Sequence, residues 1–287
     1  MQAFEYVAPA TIEDALAVLA EHRDDAKVLA GGQSLVPLLN YRLARPRVVV
    51  DVNGLPLDGV GVTADGLRLG ALTRHAMLQE SDEIARACPV LRDAAALIGN
   101  VRVRALGTIG GSLAHGDPAA ELPMVMVALD ARLGIAGQAG RRTVAARDLF
   151  TGYLTTVLAP DELLTDVEIP ETRDMGWAVE EISRRAGDFA IVAVTALVRL
   201  DARGRVDDAR LAFAGVGPAP LRSPAAEDLL RGAEPTDERI GQAADAARDA
   251  LAPDSDAFVS GAYRRLLAGV LARRALTRAV ARAIEAR

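Results

Sequence analysis

Lys27-Val28-Leu29-Ala30-Gly31-Gly32-Gln33-Ser34-Leu35-Val36-Pro37-Leu38-Leu39 runs from an apolar stretch through two glycines and a hydroxyl into leucines at helical spacing. An extended run, a bend that glycine makes at low steric cost and an amphipathic helix read in that order as a strand feeding a helix. Ser34 stands where a helix cap is expected, with Leu35, Leu38, Leu39 and Leu43 on the apolar side. Upstream, residues 4–7 read as a strand. Thr11 opens a helix whose one face carries Ile12, Ala15, Leu16 and Leu19, and Asp14 makes a variant capping box with it. Downstream, residues 48–52 read as a buried strand. Residues 1–52 therefore alternate β-α-β-α-β, the pattern of a parallel α/β unit.

The pattern continues with short strands at 59–63 and 67–70 around an Asp65-Gly66 turn. Helices follow from Thr73 and over 90–98, then a glycine-punctuated stretch at 107–112. Residues 122–129 read as helix, and 132–136 and 163–169 as strands, the last ended by Pro170. The apolar pattern lapses near 170–176, which predicts a boundary. It divides the chain into 1–175, itself split into 1–55 and 56–175, and 176–287. Beyond it, 178–184, 191–200 and 206–216 read as antiparallel strands, the last two joined by the hairpin signal Asp201-Ala202-Arg203-Gly204. Helices at 225–230, 236–251 and 260–286 complete the chain.

Composition narrows the function. Of 287 residues, 51% are hydrophobic and 3% aromatic, so a large core must be built mainly from Ala, Val, Leu and Ile. The net charge of −6 argues against a nucleic-acid binder, which needs a basic surface to displace counterions. Cys88 is the only cysteine, so neither an internal disulfide nor a thiolate-held iron–sulfur cluster is predicted. His22, His75 and His115 are too dispersed to suggest a metal site. No basic, apolar leader opens the sequence and no apolar run nears the roughly 20 residues of a transmembrane segment. A soluble, cytoplasmic protein is expected.

Two glycine pairs could carry chemistry. Ala30-Gly31-Gly32-Gln33-Ser34 is either an ordinary βα turn or a phosphate cradle built from backbone N–H groups. Thr108-Ile109-Gly110-Gly111-Ser112, with Ile98-Gly99-Asn100 before it, is a second pair beside hydroxyls. Two such loops suit a ligand with two phosphates; otherwise they are unrelated turns. Neither the dinucleotide fingerprint after the first strand nor a P-loop is present. His115, Asp117 and Glu121 could form an acid–base cluster. A turn at Asp117-Pro118 and a carboxylate in a first helical turn explain them more simply.

Ala-Gly-Gly-Gln-Ser-Leu-Val-Pro-Leu-Leu at 30–39, together with Gly-Thr-Ile-Gly-Gly-Ser-Leu-Ala-His-Gly-Asp-Pro-Ala-Ala-Glu-Leu-Pro at 107–123, resembles the FAD-binding medium subunit of molybdenum hydroxylases. Aerobic carbon monoxide dehydrogenase belongs to that group, and xanthine dehydrogenase carries a related domain. The resemblance covers essentially the whole chain. It implies an α+β fold: a two-part α/β FAD-binding domain of the PCMH type, then a small domain of a three-stranded antiparallel sheet with a three-helix bundle.

The resemblance also implies a cofactor site. Ala30, Gly31, Gly32, Gln33, Ser34 and Leu35 would wrap the FAD diphosphate. Thr108, Gly110, Gly111 and Ser112 would hold phosphates and ribityl chain from the other side. Ile98 would lie near the flavin, Glu121 on the adenosine and Leu164 on the adenine. Leu29, Ile109, Asp117, Asp188 and Phe189 complete the implied set, which contains no catalytic residue and no metal ligand. Phe189 replaces a common Tyr in the stretch Arg184-Arg185-Ala186-Gly187-Asp188-Phe189-Ala190, which approaches the flavin in the family. Leu106 replaces a frequent Arg, with Arg104 nearby, and Gln33 a frequent His.

The implied role is electron transfer from a small iron–sulfur subunit through FAD to an outside acceptor. A large molybdenum-binding subunit would oxidise the substrate, in a dimer of heterotrimers with the molybdenum cofactor and iron–sulfur clusters on the partners. A stand-alone flavin-dependent reductase or oxidase of the same binding fold is the alternative, and a scaffold that has lost its flavin a third. Carbon monoxide, an N-heterocycle, a purine and an aldehyde are all compatible substrates. From Val259 onward seven arginines face one acid, Glu285: a solvated helix face, or a surface for an acidic partner.

Overall fold

The computed structural model describes residues 2–286. Its first part is β1 (Glu5–Val7), α1 (Ile12–His22), β2 (Ala26–Leu29), α2 (Leu35–Asn40) and β3 (Val48–Asp51), the predicted alternation. The strands form a parallel sheet in the order β1-β3-β2. The central strand carries Val48, Val49 and Val50, all buried, as a strand covered on both faces requires. Thr11 caps α1: its Oγ1 accepts the Asp14 N–H at 3.1 Å. Ser34 precedes α2 without a side-chain cap bond, contrary to the sequence-based expectation. Helix α2 is also shorter than its leucines suggest. Arg42 turns left-handed (φ 59°), the N–H groups of Leu43 and Ala44 fold back onto the Leu38 carbonyl, and Leu43 is left exposed.

The second part contains β4 (Val60–Thr63), β5 (Gly66–Gly70), α3 (His75–Glu80), α4 (Asp82–Ala87), α5 (Pro89–Leu97), α6 (Val101–Leu106), α7 (Ile109–His115) and α8 (Glu121–Ala128). Then come β6 (Arg132–Gly137), β7 (Gly140–Ala145), α9 (Ala146–Leu149), β8 (Phe150–Gly152), β9 (Thr155–Thr156) and β10 (Leu163–Pro170). An antiparallel sheet runs β4-β5-β10-β6-β7. Every residue of α8 is buried, which explains its uninterrupted apolar run.

The glycine-punctuated stretch is more regular than its sequence suggests. Two glycines in α7 lower helix propensity, and α6 alternates Val and Arg, so neither shows a helical period. Caps restore them. Asn100 Oδ1 accepts the N–H groups of Arg102 and Val103, and Thr108 Oγ1 accepts that of Gly111.

The third part is β11 (Gly176–Ser183), β12 (Ala190–Leu200), β13 (Val206–Ala214), β14 (Leu221–Arg222), α10 (Pro224–Leu230), α11 (Asp237–Ala250) and α12 (Gly261–Glu285). The strands pair antiparallel in chain order, a two-residue β14 extending the predicted three. Strand β12 is buried on both faces. Val192, Val194, Ala196 and Val198 join the core under α11 and α12. Ala193 and Leu197 join the core that contains α8.

Candidate functional site

The site forms where β2 and β3 end, the edge at which open α/β sheets hold ligands. Beyond Leu29 the chain bends through Gly31 and Gly32. A Cβ placed on Gly31 would stand 2.3 Å from the Leu106 carbonyl oxygen and 2.7 Å from Gly107 Cα. A Cβ on Gly111 would stand 4.0 Å from that of Ala30. The two glycine motifs, far apart in sequence, thus meet backbone to backbone.

Polar side chains fix that meeting. Asn53, just past β3, donates from Nδ2 to the Ala30 carbonyl at 2.9 Å. Arg74 donates to Asn53 Oδ1 at 2.7 Å and, through its other terminal nitrogen, to the Leu106 carbonyl. Arg104 donates to the carbonyls of Ile98 (2.8 Å) and Gly99 (3.2 Å). Sequence reasoning missed Asn53 and Arg74, and noted Arg104 only as the arginine near Leu106. For Asn53 a signal was available, because it directly follows a parallel strand at the ligand-binding edge. His75 packs beneath, its ring 2.8 Å from where a Gly107 Cβ would be. Burial, reinforced by the Arg74 and Arg104 charges, pushes its imidazole down to about 4.

The two motifs differ in what they offer. In the second, backbone donors are already engaged: Ile109 bonds Thr73 O, Gly110 bonds Ala71 O, Gly111 bonds Thr108 Oγ1 and Ser112 bonds Thr108 O. In the first, the N–H groups of Gly31, Gly32, Gln33 and Ser34 find no acceptor among the described residues, while Gln33 Nε2 folds back to Gly31 O at 2.9 Å. Gly32 is left-handed (φ 70°). Successive free N–H groups at such a bend form an anion-binding concavity. The first motif is therefore the donor bend and the second its wall, where Ser112 is half-buried and Thr108, 2% exposed, spends its Oγ1 on the Gly111 N–H. Leu29 and Leu35 flank the bend half-buried; Ile109 is fully buried.

The remaining candidates fall in two groups and one outlier. Ile98 ends α5, 8% exposed. The loop between β11 and β12 lands beside it: a Cβ on Gly187 would be 2.7 Å from the Gly99 carbonyl oxygen. That loop carries half-buried Asp188 and Phe189, whose ring is 59% exposed.

Glu121 opens α8, 5% exposed. Burial first, then the Glu181 and Asp117 carboxylates, raise its carboxyl to about 7. Burial alone raises Glu181 to about 7, and its Oε2 is without a hydrogen-bond partner among the described residues. Asp117 accepts the Ala119 N–H at 2.9 Å, the simpler turn role foreseen for it. Leu164 lies in β10 opposite Ile135, 4% exposed within the core.

Residues 2–172 match the family described as the FAD binding domain in molybdopterin dehydrogenase, and residues 177–279 the CO dehydrogenase flavoprotein C-terminal domain. The nicotine 6-hydroxylase medium subunit of Paenarthrobacter nicotinovorans is 41% identical over 98% of this chain and 99% of its own. The carbon monoxide dehydrogenase medium chain of Hydrogenophaga pseudoflava is 36% identical over 97% and 98%. Among solved structures, a chain of carbon monoxide dehydrogenase from Hydrogenophaga pseudoflava shares the fold with a TM-score of 0.95 at 37% identity, over 98% of both chains. A chain of quinoline 2-oxidoreductase from Pseudomonas putida 86 gives 0.94 at 36% identity, over 99% of both.

Proposed function

Because the chain belongs to the FAD-binding subunit family of the molybdopterin dehydrogenases, we propose that it is the electron-transfer subunit of a three-subunit molybdenum hydroxylase. Electrons would arrive from a small iron–sulfur subunit and leave to an external acceptor. A large subunit would hold the molybdenum cofactor and oxidise the substrate, and two heterotrimers would pair. FAD supplies the redox chemistry when bound; the chain's own residues bind it, orient it and set its surroundings.

One observation carries this proposal: a bend with four unengaged N–H groups, Gly31 to Ser34, pressed against a second glycine motif at a distance only glycine permits. That donor set suits a diphosphate. Ser112 would add a hydroxyl contact, with Leu29, Ala30 and Leu35 as the apolar wall; Thr108 and Ile109, both buried, enter the set from the family resemblance. Ile98, Asp188 and Phe189 would face the flavin, and Asp117 and Glu121 the adenosine. Leu164 enters the set from the family resemblance alone. The two matched families meet between residues 172 and 177, which supports the division into 1–175 and 176–287. Among the described residues no helix is long and apolar enough to cross a membrane, in keeping with a cytoplasmic complex. Similar identities to subunits named for nicotine and for carbon monoxide favour a substrate chosen on another polypeptide.

The test is the visible spectrum and turnover of the chain purified alone. Bound FAD, with substrate turnover only after iron–sulfur and molybdenum subunits are added, is the expected result. Full turnover by the lone chain would favour a stand-alone reductase or oxidase. A colourless protein that FAD does not reconstitute would overturn the proposal.

A further inference from the structure

We propose that Phe258 and Arg184 form a surface clasp that holds the 184–189 loop over the cofactor site, making both positioning residues for FAD retention. The inference rests on the site assignment proposed above. The loop joins β11 to β12, and residues 184–187 are exposed. Its internal hydrogen bonds are few: Asp188 N–H to Arg185 O, and the Ser183 hydroxyl to the same carbonyl, both at 3.0 Å. Two contacts beyond the loop fix it. On one side Gly187 (φ 85°) rests against the Gly99 carbonyl, beside Ile98. On the other, the Arg184 guanidinium lies 4.8 Å from the centre of the Phe258 ring.

Phe258 is 77% exposed, so core packing does not account for its position. The turn presenting it is nevertheless firmly built. Asp256 Oδ1 accepts the N–H groups of Phe258 and Val259 at 2.7 and 2.8 Å. The Asp256 N–H returns to the Val259 carbonyl at 3.0 Å. The other Asp256 oxygen takes a guanidinium hydrogen bond from Arg264 at the start of α12. Arg264 also donates to the carbonyls of Ile191 (2.6 Å) and Gly215 (3.0 Å). Ile191 lies at the foot of the loop. One arginine therefore anchors both the loop's base and the turn whose ring meets the loop's other end. Tyr153 Oη adds a 3.2 Å bond to Asp254, tying the turn to the second part of the fold. An exposed ring held this rigidly against a cation acts as a stop for the loop that carries Asp188 and Phe189.

The experiment measures FAD release from the full-length chain, followed by recovery of free-flavin fluorescence after dilution. An exposed cation–π contact shifts an equilibrium by roughly two- to fivefold, so F258A is expected to release FAD faster by about that factor. R184Q should match it, the double variant should add little to either single one, and F258W should restore slow release. The melting temperature of the FAD-free F258A chain should stay at the wild-type value, because the ring buries little surface. Unchanged release in F258A, or single effects that simply add in the double variant, would overturn the clasp. A wild-type chain that binds no FAD would instead remove the site assignment beneath it.

Discussion

A methyl group on Gly31 would lie 2.3 Å from a backbone oxygen that Arg74 holds in place, and neither partner is a flexible side chain. Gly31→Ala is therefore expected to force the two motifs apart. It should lose bound FAD and cost about 1–3 kcal/mol of stability, the range of overpacked sites. Gly54→Ala is the control: nothing lies within 4 Å of its added carbon, so stability should change by less than about 0.5 kcal/mol. FAD content per chain and thermal melting of both variants check this; equal behaviour would refute the close-approach argument. At this scale the sequence was legible where residue type alone decides. Gly31, Gly32, Gly110 and Gly111 stood out. Which of their amides are free was not legible, because pairing of 107–110 with 71–75 decides it. Asn53 and Arg74 likewise act through a fold their own neighbourhoods do not announce.

Elements built on an apolar period could be read directly: α1, β3, α8 and β12 all lie where predicted, within a residue or two. Elements that depend on caps or on an edge position could not. Strand β7, absent from the sequence prediction, lies at the sheet edge and its first four residues, Gly140 to Thr143, are exposed, so no apolar alternation marks it. The arginines of α12 were ambiguous for a related reason: charge can be read from sequence, partners cannot. Arg264, Arg265, Arg278 and Arg282 engage Asp256, Asp249, Glu180 and Asp93 within the chain, and Arg282 also stacks on Trp177. Such pairing favours a structural helix face over a basic docking surface.

A stronger ionic junction ties β14 to its surroundings. Arg222 donates to Glu227 through two nitrogens at 2.8 Å, and to both Asp130 oxygens at 2.9 Å. Glu227 is 2% exposed and also accepts the Leu211 N–H. Removing it leaves the half-buried Arg222 with Asp130 alone and the Leu211 N–H without its acceptor, so Glu227→Ala should cost about 3 kcal/mol. Asp130 is more exposed and leaves Arg222 its other partner. Asp130→Asn, which suits the left-handed backbone there, should cost about 1 kcal/mol or less. Urea midpoints order the two, and equal losses would contradict this ranking.

The molecule as a whole places two carboxyls from different parts of the chain, Glu121 on α8 and Glu181 on β11, close enough to interact, both raised to about 7. A raised carboxyl keeps its proton in the folded state after the unfolded chain has lost it. The stability this proton contributes is complete below the ordinary carboxyl range near 4.5 and disappears as pH rises through about 7. The FAD-free chain should therefore weaken between about pH 5 and about pH 8. Glu121→Gln should flatten that fall by an amount on the order of 2 kcal/mol. Denaturant titrations across pH measure it, and parallel profiles for both proteins would refute the assignment. The broad architecture was legible because β-α-β alternation and antiparallel runs differ in period. The joining of the parts was not, because it depends on which face of each strand another part covers. Strand β12 serves two cores at once, one on each face. Cut from its neighbours, a fragment starting at 176 would bare Ala193 and Leu197 to water, and one ending at 175 would uncover α8. Each would clump unless made beside the other. Chimaeras with relatives should accordingly move α8 and β12 as a matched couple, never one without its mate.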